Sequence, residues 1–451
     1  MKGVSVGPQE RDRAALKRGR NGMVRTMGAQ LGYRRDHQLP AVNLWGGLGL
    51  VLVCVLAAVA PVAPATVQGR YVLMALLLIV PSAWRCLGWP DLLAVVLAVW
   101  ASAAAISVTG VPSSANALWA YWGMCTLFVA ARGAVTNASH FALVGCAYLG
   151  GCVWAAVEVV SSARGVDPTI DPALIRVGIG AVNPNYTAYS LVTGVVVAVA
   201  VARAGGLSRR LRLAVLAAIP LLAYAVVWNG TRGALMALVL VGGYLLAARA
   251  APRVAWTSIA VAAPALLIAI PFGVYGDSRL LWLQEFFARR DDNMSGRLYL
   301  WALARQVWEG HIWTGIGPGM FPTVTGIGAH SVPLTIAVEL GAVGLALFAA
   351  LGVAVLIGPA GSGTVGKCLA GVLVLAWLPI LLSGHWELSP AGWLVAALWS
   401  RLSPGTWRWA AKGTSILPRS GKMAGRHRAD EDVPPVISSP TSIFPVRAGS
   451  S

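Results

Sequence analysis

Residues Asp277 to Ser331 read DSRLLWLQEFFARRDDNMSGRLYLWALARQVWEGHIWTGIGPGMFPTVTGIGAHS, between long apolar runs on both sides. This stretch decides the fold because it is the one long interior segment that hydrocarbon cannot accommodate. Charges, tryptophans, glycines and two histidines gather in it, while the flanking runs are rich in Ala, Val and Leu. A polar segment of this size held between membrane spans is where chemistry is expected.

The chain around it has 451 residues, 57% hydrophobic and 12% charged, with mean hydropathy +0.69. A soluble chain carries about 25% charged residues, so composition excludes the soluble classes. Apolar runs of about 20 residues, rather than period-two alternation, exclude a β-barrel. The expected fold is all-α and polytopic. Runs at 42–63, 70–84, 91–111, 116–131, 140–161, 183–202, 211–228, 233–249, 254–275, 332–357, 367–383 and 387–401 predict 12 transmembrane helices. Nine spans (42–275) precede a large extracytoplasmic loop (276–331) that carries an interfacial helix, and three (332–402) follow it. Residues 1–41 and 403–451 are polar and basic, and read as disordered cytoplasmic tails.

The net charge of +18 invites a nucleic-acid partner, but its placement argues against one. With the spans above, 26 of the 35 Lys and Arg fall in the tails and on the side the tails occupy. That bias predicts both termini in the cytoplasm and the 277–331 segment on the opposite side of the membrane. Six cysteines (Cys54, Cys86, Cys125, Cys146, Cys152 and Cys368) lie in or beside apolar runs without a CxxC pair. They suggest neither zinc nor a disulfide framework, and read as small buried hydrophobes.

The arginines on the outer side carry information, because orientation bias disfavours them there. Arg176 precedes the span-six sequence VNPNYTAYS, where Asn183 and Pro184 suit a helix start. Arg232 lies in WNGTRGALMAL, flanked by Gly230 and Gly233, which allow close backbone approach. Arg297, Trp301, Arg305 and Trp308 fall at i, i+4, i+8 and i+11, one Arg/Trp stripe of a helix lying at headgroup depth. His330 ends GIGPGMFPTVTGIGAH, and Glu339 follows about two and a half turns into the next span. Singly, each has a plain structural reading, as an arginine pairing with lipid phosphate or a satisfied histidine. Together, the arginines of three separate stretches, Arg176, Arg232 and Arg297, outside against the bias point to a binding site.

Guanidinium forks suit phosphate oxygens, which they bind through paired, charge-assisted hydrogen bonds. The outer loops hold no DxD pair and no metal-spaced His/Asp cluster, so the expectation is a phosphate held without metal or cofactor. No P-loop or GxGxxG follows a strand, which argues against a nucleotide. A diphosphate on a lipid carrier lies at the depth of these arginines and leaves without protonation. An imidazole, which titrates near neutrality, suits activation of the attacking hydroxyl.

These residues match a known pattern. RxGxxxNPN (Arg176 to Asn185), TRG (Thr231–Gly233), GRxxxW (Gly296–Trp301) and GIGPGxF…HS…ExGxxG (Gly315 to Gly344) together resemble the O-antigen ligase/polymerase family. The motifs span roughly residues 170–350. The resemblance implies a twelve-span, GT-C-like, metal-independent glycosyltransferase moving a glycan from an undecaprenyl-diphosphate carrier to a hydroxyl acceptor, a glycan or lipid-glycan. It implies that Arg176 and Arg232 bind the diphosphate, with Arg297 and Arg305 alongside, and that His330 acts on the acceptor or holds the donor. Trp301 and the turn glycines Gly315, Gly317 and Gly319 would shape the loop, and Glu339 would orient His330. The outer loop is short for a ligase, and ligase and polymerase both stay open.

The alternatives differ in class. A secondary transporter or exporter also has 12 spans, but calls for inverted repeats and paired broken helices, and neither is legible here. A polyprenyl-phosphate glycosyltransferase with a carboxylate base in its first outer loop fails at Pro61–Arg70, which holds no acid. A shape-determining peptidoglycan polymerase needs a late outer acid, and the motifs around Glu309 and Asp277 do not match it.

Overall fold

A computed structural model describes residues 44–67, 76, 87–163, 176–203, 207–272, 297–361 and 363–402, with side chains from 46 and, in the outer helix, from 299. The tails, the expected span 70–84 and the first part of the outer loop lie outside the described residues. The described chain is helices joined by turns, without a strand. In order these are α1 (Leu44–Val59), α2 (Trp89–Ala105), α3 (Pro112–Ala134), α4 (Ala138–Ala163), α5 (Pro184–Arg203), α6 (Arg209–Asn229) and α7 (Arg232–Ala250). They continue with α8 (Pro252–Phe272), α9 (Arg297–Glu309), α10 (Met320–Thr325), α11 (Val332–Ala360), α12 (Gly363–Ser383) and α13 (Pro390–Ser400). Eight of the described helices are long and apolar enough to cross a membrane. At 1.5 Å per residue, a helix of about 20 residues covers the roughly 30 Å of hydrocarbon. This is a polytopic helical membrane protein.

Burial sorts the helices into centre and rim. Every residue from Thr187 to Ala202 of α5 is buried, so α5 is the axis of the bundle. It packs against α4, α6 and α12. In α8, by contrast, only Ala263 and Pro271 are buried, leaving Val261 and Ile268 outward at the lipid-facing rim. Backbone groups in lipid must be satisfied internally, which is why the apolar chain folds as helices.

Contacts between sequence-distant turns sort the helix ends into two sets. At one end Arg132 of α3 pairs with Asp91 of α2 at 3.0 Å, both nearly buried, and Arg401 Nε donates to the Arg132 carbonyl. At the other end Tyr186 donates to the Ala60 carbonyl, Ser113 bonds Thr323, and Tyr189 bonds Ser383. This second end carries the outer-loop motifs.

Three details depart from the periodicity reading. The tenth span is not one helix: α11 breaks at Gly341, whose φ of 69° and ψ of −173° leave the helical region. The last span does not start at 387. Ser389 caps α13 through its Oγ, Pro390 fills its first turn, and the 11 described residues cover only about 16 Å. The tryptophans of the Arg/Trp stripe turn inward rather than to headgroups. Trp301 is 2% exposed in a cluster with Ala304, Phe321, Leu334 and Val338, and the Trp308 ring packs on Phe272. Apolar protein surface was available to them, and burial there removes more area from water than a headgroup contact does.

Candidate active site at the outer ends of the helices

The α6–α7 corner is built by its own four residues. Asn229 ends α6, Gly230 turns the chain at φ 76°, Thr231 stands at the N-cap, and Arg232 opens α7. A left-handed residue at this position is glycine's usual role after a helix. Gly233 has a different reason to be glycine: a Cβ there would lie 2.8 Å from Ser383 Oγ and 3.1 Å from the Tyr189 hydroxyl. The start of α7 is therefore pressed against both α5 and the end of α12.

Asn229 is 0% exposed and ties this corner to the Arg176 loop. Its Nδ2 donates to the carbonyls of Val177 and Pro184, and the Thr231 hydroxyl donates to Asn229 Oδ1 and Asn185 Oδ1. The backbone beside Arg176 is thus fixed three residues from Arg232, with both arginine side chains exposed. Asn185 of the NPN motif and Asn229 of WNGTRG are joined through Thr231 in one knot, Asn229 at its buried centre.

The loop leading to His330 is anchored in the break of α11. Breaking a helix frees carbonyls and amides that cannot stay unpaired in a buried setting. Here Ile316 N donates to the Val338 carbonyl and Gly317 N to that of Glu339. Trp100 Nε1 takes the Leu340 carbonyl, and the freed Ala342 N donates to Ile312. The Glu339 carboxylate, 3% exposed, accepts from Gly319 N at 2.8 Å. The turn glycines are required by contact as well as conformation. Gly315, Gly317 and Gly319 all have positive φ, and a Cβ at Gly315 would lie 2.4 Å from the Glu339 backbone.

At the far end of this loop Trp301 Nε1 donates to the Ala329 carbonyl at 2.9 Å, which pins the residue before His330. His330 itself has φ 52°, the one positive value at a non-glycine among the described residues. A β-carbon crowds that region, and side chains held there cluster at functional sites. Its ring lies 4.6 Å from that of His385.

His385 belongs to a turn the sequence reading passed over. Gly384–Ser389 joins α12 to α13 and carries Trp386 against Tyr186 and Tyr189 of α5, at ring distances of 5.2 and 5.8 Å. His385 Nδ1 lies 3.6 Å from Glu387 Oε1, and a Cβ on Gly328 would lie 2.0 Å from the His385 ring. Gly384, Ser389 and Pro390, which bracket this turn, are the turn signals in the sequence.

The sites expected from sequence thus fall into three groups. The stretches bearing Arg176, Arg232 and His330 meet at one end, joined through Asn229, Ser383 and His385. Glu339 faces Gly319 and anchors the loop, and no contact between it and His330 is seen. Arg305 is half-buried on α9, and the side chain of Arg297 lies outside the described residues. Among the described residues no three His, Cys, Asp or Glu side chains group as a metal site would require.

The described residues form an all-helical membrane protein with arginine-bearing turns and a constrained histidine at one end. The family match agrees with it. Residues 217–349 match the O-antigen ligase family model, which supports an O-antigen ligase/polymerase-like family and, with the apolar helices, a membrane glycan-processing enzyme. The match runs from α6 into α11 and takes in Asn229, Arg232, Trp301, the GIGPG turn, His330 and Glu339. Arg176, His385 and Glu387 lie outside it. No curated protein matches the chain.

Proposed function

We propose that this protein transfers or polymerises a glycan from an undecaprenyl-diphosphate carrier onto a hydroxyl acceptor at the outer face of the bacterial inner membrane. In this reading it spans the membrane 12 times with both termini cytoplasmic, in a GT-C-like arrangement. The observation that carries the reading is the Asn229 knot, which fixes the Arg176 and Arg232 backbones together, with α7 pressed against the end of α12 and the next turn's His385 ring against that of His330. Arg176 and Arg232 are the diphosphate ligands, aided by Arg305 and Arg297. Their fixed charge stabilises the leaving diphosphate as its negative charge develops, and no metal or cofactor enters. His330 takes the proton of the acceptor hydroxyl while the acceptor oxygen bonds to the sugar carbon and the carbon–diphosphate bond breaks. Glu339 acts through the loop it anchors.

The transporter alternative draws on the broken helix of α11, since such breaks line substrate sites in transporters. The break at Gly341 is filled by Ile312, Ile316, Gly317 and Trp100, so its polar groups serve the loop. That favours an anchored enzyme loop over a gated pathway.

The test is Arg232→Lys, which keeps the charge but loses the fork. Surface glycan is expected to disappear from cells carrying it, while the protein remains inserted. Unchanged surface glycan overturns the assignment, and vesicle flux that survives the change while glycan transfer is never found supports the transporter.

A further inference from the structure

The turn between α12 and α13 holds two ionisable side chains that the reading above does not use. Trp386 is 4% exposed and packed on Tyr186 and Tyr189, so its neighbours His385 and Glu387 cannot drift. The backbone is held from the other side as well, where Trp393 Nε1 donates to the Glu387 carbonyl at 2.7 Å. Glu387 is buried at 6%, with Oε1 facing His385 Nδ1 and Oε2 without a hydrogen-bond partner. His385 is about a third exposed, and its ring faces His330 on one side and Gly328 on another. Glu387, His385 and His330 therefore form a line from the buried turn to the open end of the site.

We propose that His385, oriented by Glu387, is a positioning residue for His330 in glycan transfer. The inference rests on the glycosyltransferase reading. In the transfer step the acceptor O–H bond breaks and its proton passes to His330. The acceptor oxygen forms the new glycosidic bond, and the electron pair of the sugar–diphosphate bond leaves with the carrier diphosphate. The positive charge that develops on His330 sits beside the His385 ring, with the Glu387 carboxylate behind it to offset the charge. The proton then returns to water.

A plain packing role is separated from this one by His385→Phe, which keeps a ring of similar shape and removes both nitrogens, and by Glu387→Gln, which keeps shape and removes charge. The donor is lipid-linked glycan extracted from cells lacking the protein, and binding is read with undecaprenyl diphosphate. Each variant is expected to lower kcat about 10- to 100-fold, with KM and undecaprenyl diphosphate binding unchanged. The double variant is expected to be no worse than either single one, because one line of residues is broken only once. Turnover within twofold of wild type in both single variants overturns the proposal. So does a fall in turnover matched by an equal fall in diphosphate binding. Should His385→Phe not fold, Glu387→Gln decides alone by the same criteria. If Arg232→Lys and His330→Ala keep full glycan transfer, the broader reading fails. If those two lose it and His385→Phe keeps it, only this inference fails.

Discussion

Replacing Asn229 by alanine removes the knot that joins the two arginine-bearing turns. Its amide, 0% exposed, donates to the Val177 and Pro184 carbonyls and accepts from Thr231. The Pro184 carbonyl still accepts within α5 and Thr231 still has Asn185, so the change strands one carbonyl outright, that of Val177. A stranded buried acceptor costs about 1–3 kcal/mol and each lost hydrogen bond about 1 kcal/mol net, so attachment of the 176–183 loop should weaken by about 2–4 kcal/mol. That multiplies the detached population about 30- to 700-fold, since 1.4 kcal/mol is a factor of 10 in an equilibrium constant. Hydrogen–deuterium exchange followed by peptide mass spectrometry reads it directly. The peptide covering 176–186 in Asn229→Ala should lose protection by that factor, while the α12–α13 turn keeps its own. Unchanged protection of 176–186 would refute the reasoning, whatever happened to activity.

Two further outcomes follow from named contacts. His330→Gly should be more stable than His330→Ala by about 1–2 kcal/mol, because glycine accepts the left-handed backbone without a crowded Cβ, and both should lack transfer activity. Thermal melts followed by tryptophan fluorescence compare them, and an alanine variant as stable as the glycine one would show that the backbone is unstrained. Glu339→Gln should keep activity within a few-fold, since an amide oxygen still accepts from Gly319 N, whereas Glu339→Ala should lose most of it as the GIGPG turn detaches. Glycan transfer assays on the two variants check this, and an inactive glutamine variant would make the charge itself essential.

Most of the helical architecture is legible in the chain because lipid leaves few options: an apolar run of about 20 residues folds as a helix wherever it sits. Arg176 and Arg232 stood out for a physical reason too, since arginines on the side expected to be opposite the tails go against the orientation bias. What stayed hidden depends on partners far along the sequence. Gly341 looks like any glycine inside an apolar run, and its break exists because residues 312–317 supply the missing hydrogen bonds. The stripe of α9 gave the face of the helix but not the protein surface that covers it, so Trp301 was expected at headgroups. His385 and Glu387 were passed over because the apolar run from 387 masked a six-residue turn, with Ser389 and Pro390 as the overlooked helix-start signal.

The central claim is that guanidinium groups from two separate turns hold one lipid-borne diphosphate. Its most direct measurement is a double-mutant cycle on undecaprenyl diphosphate affinity in nanodiscs, with Arg176→Ala, Arg232→Ala and both together. Each single change is expected to weaken binding at least about 10-fold, as loss of a charge-assisted hydrogen bond worth about 1.5–3 kcal/mol requires. The double change should fall short of the product of the two, because both side chains act on the same ligand. Wild-type affinity in both single variants would contradict the account.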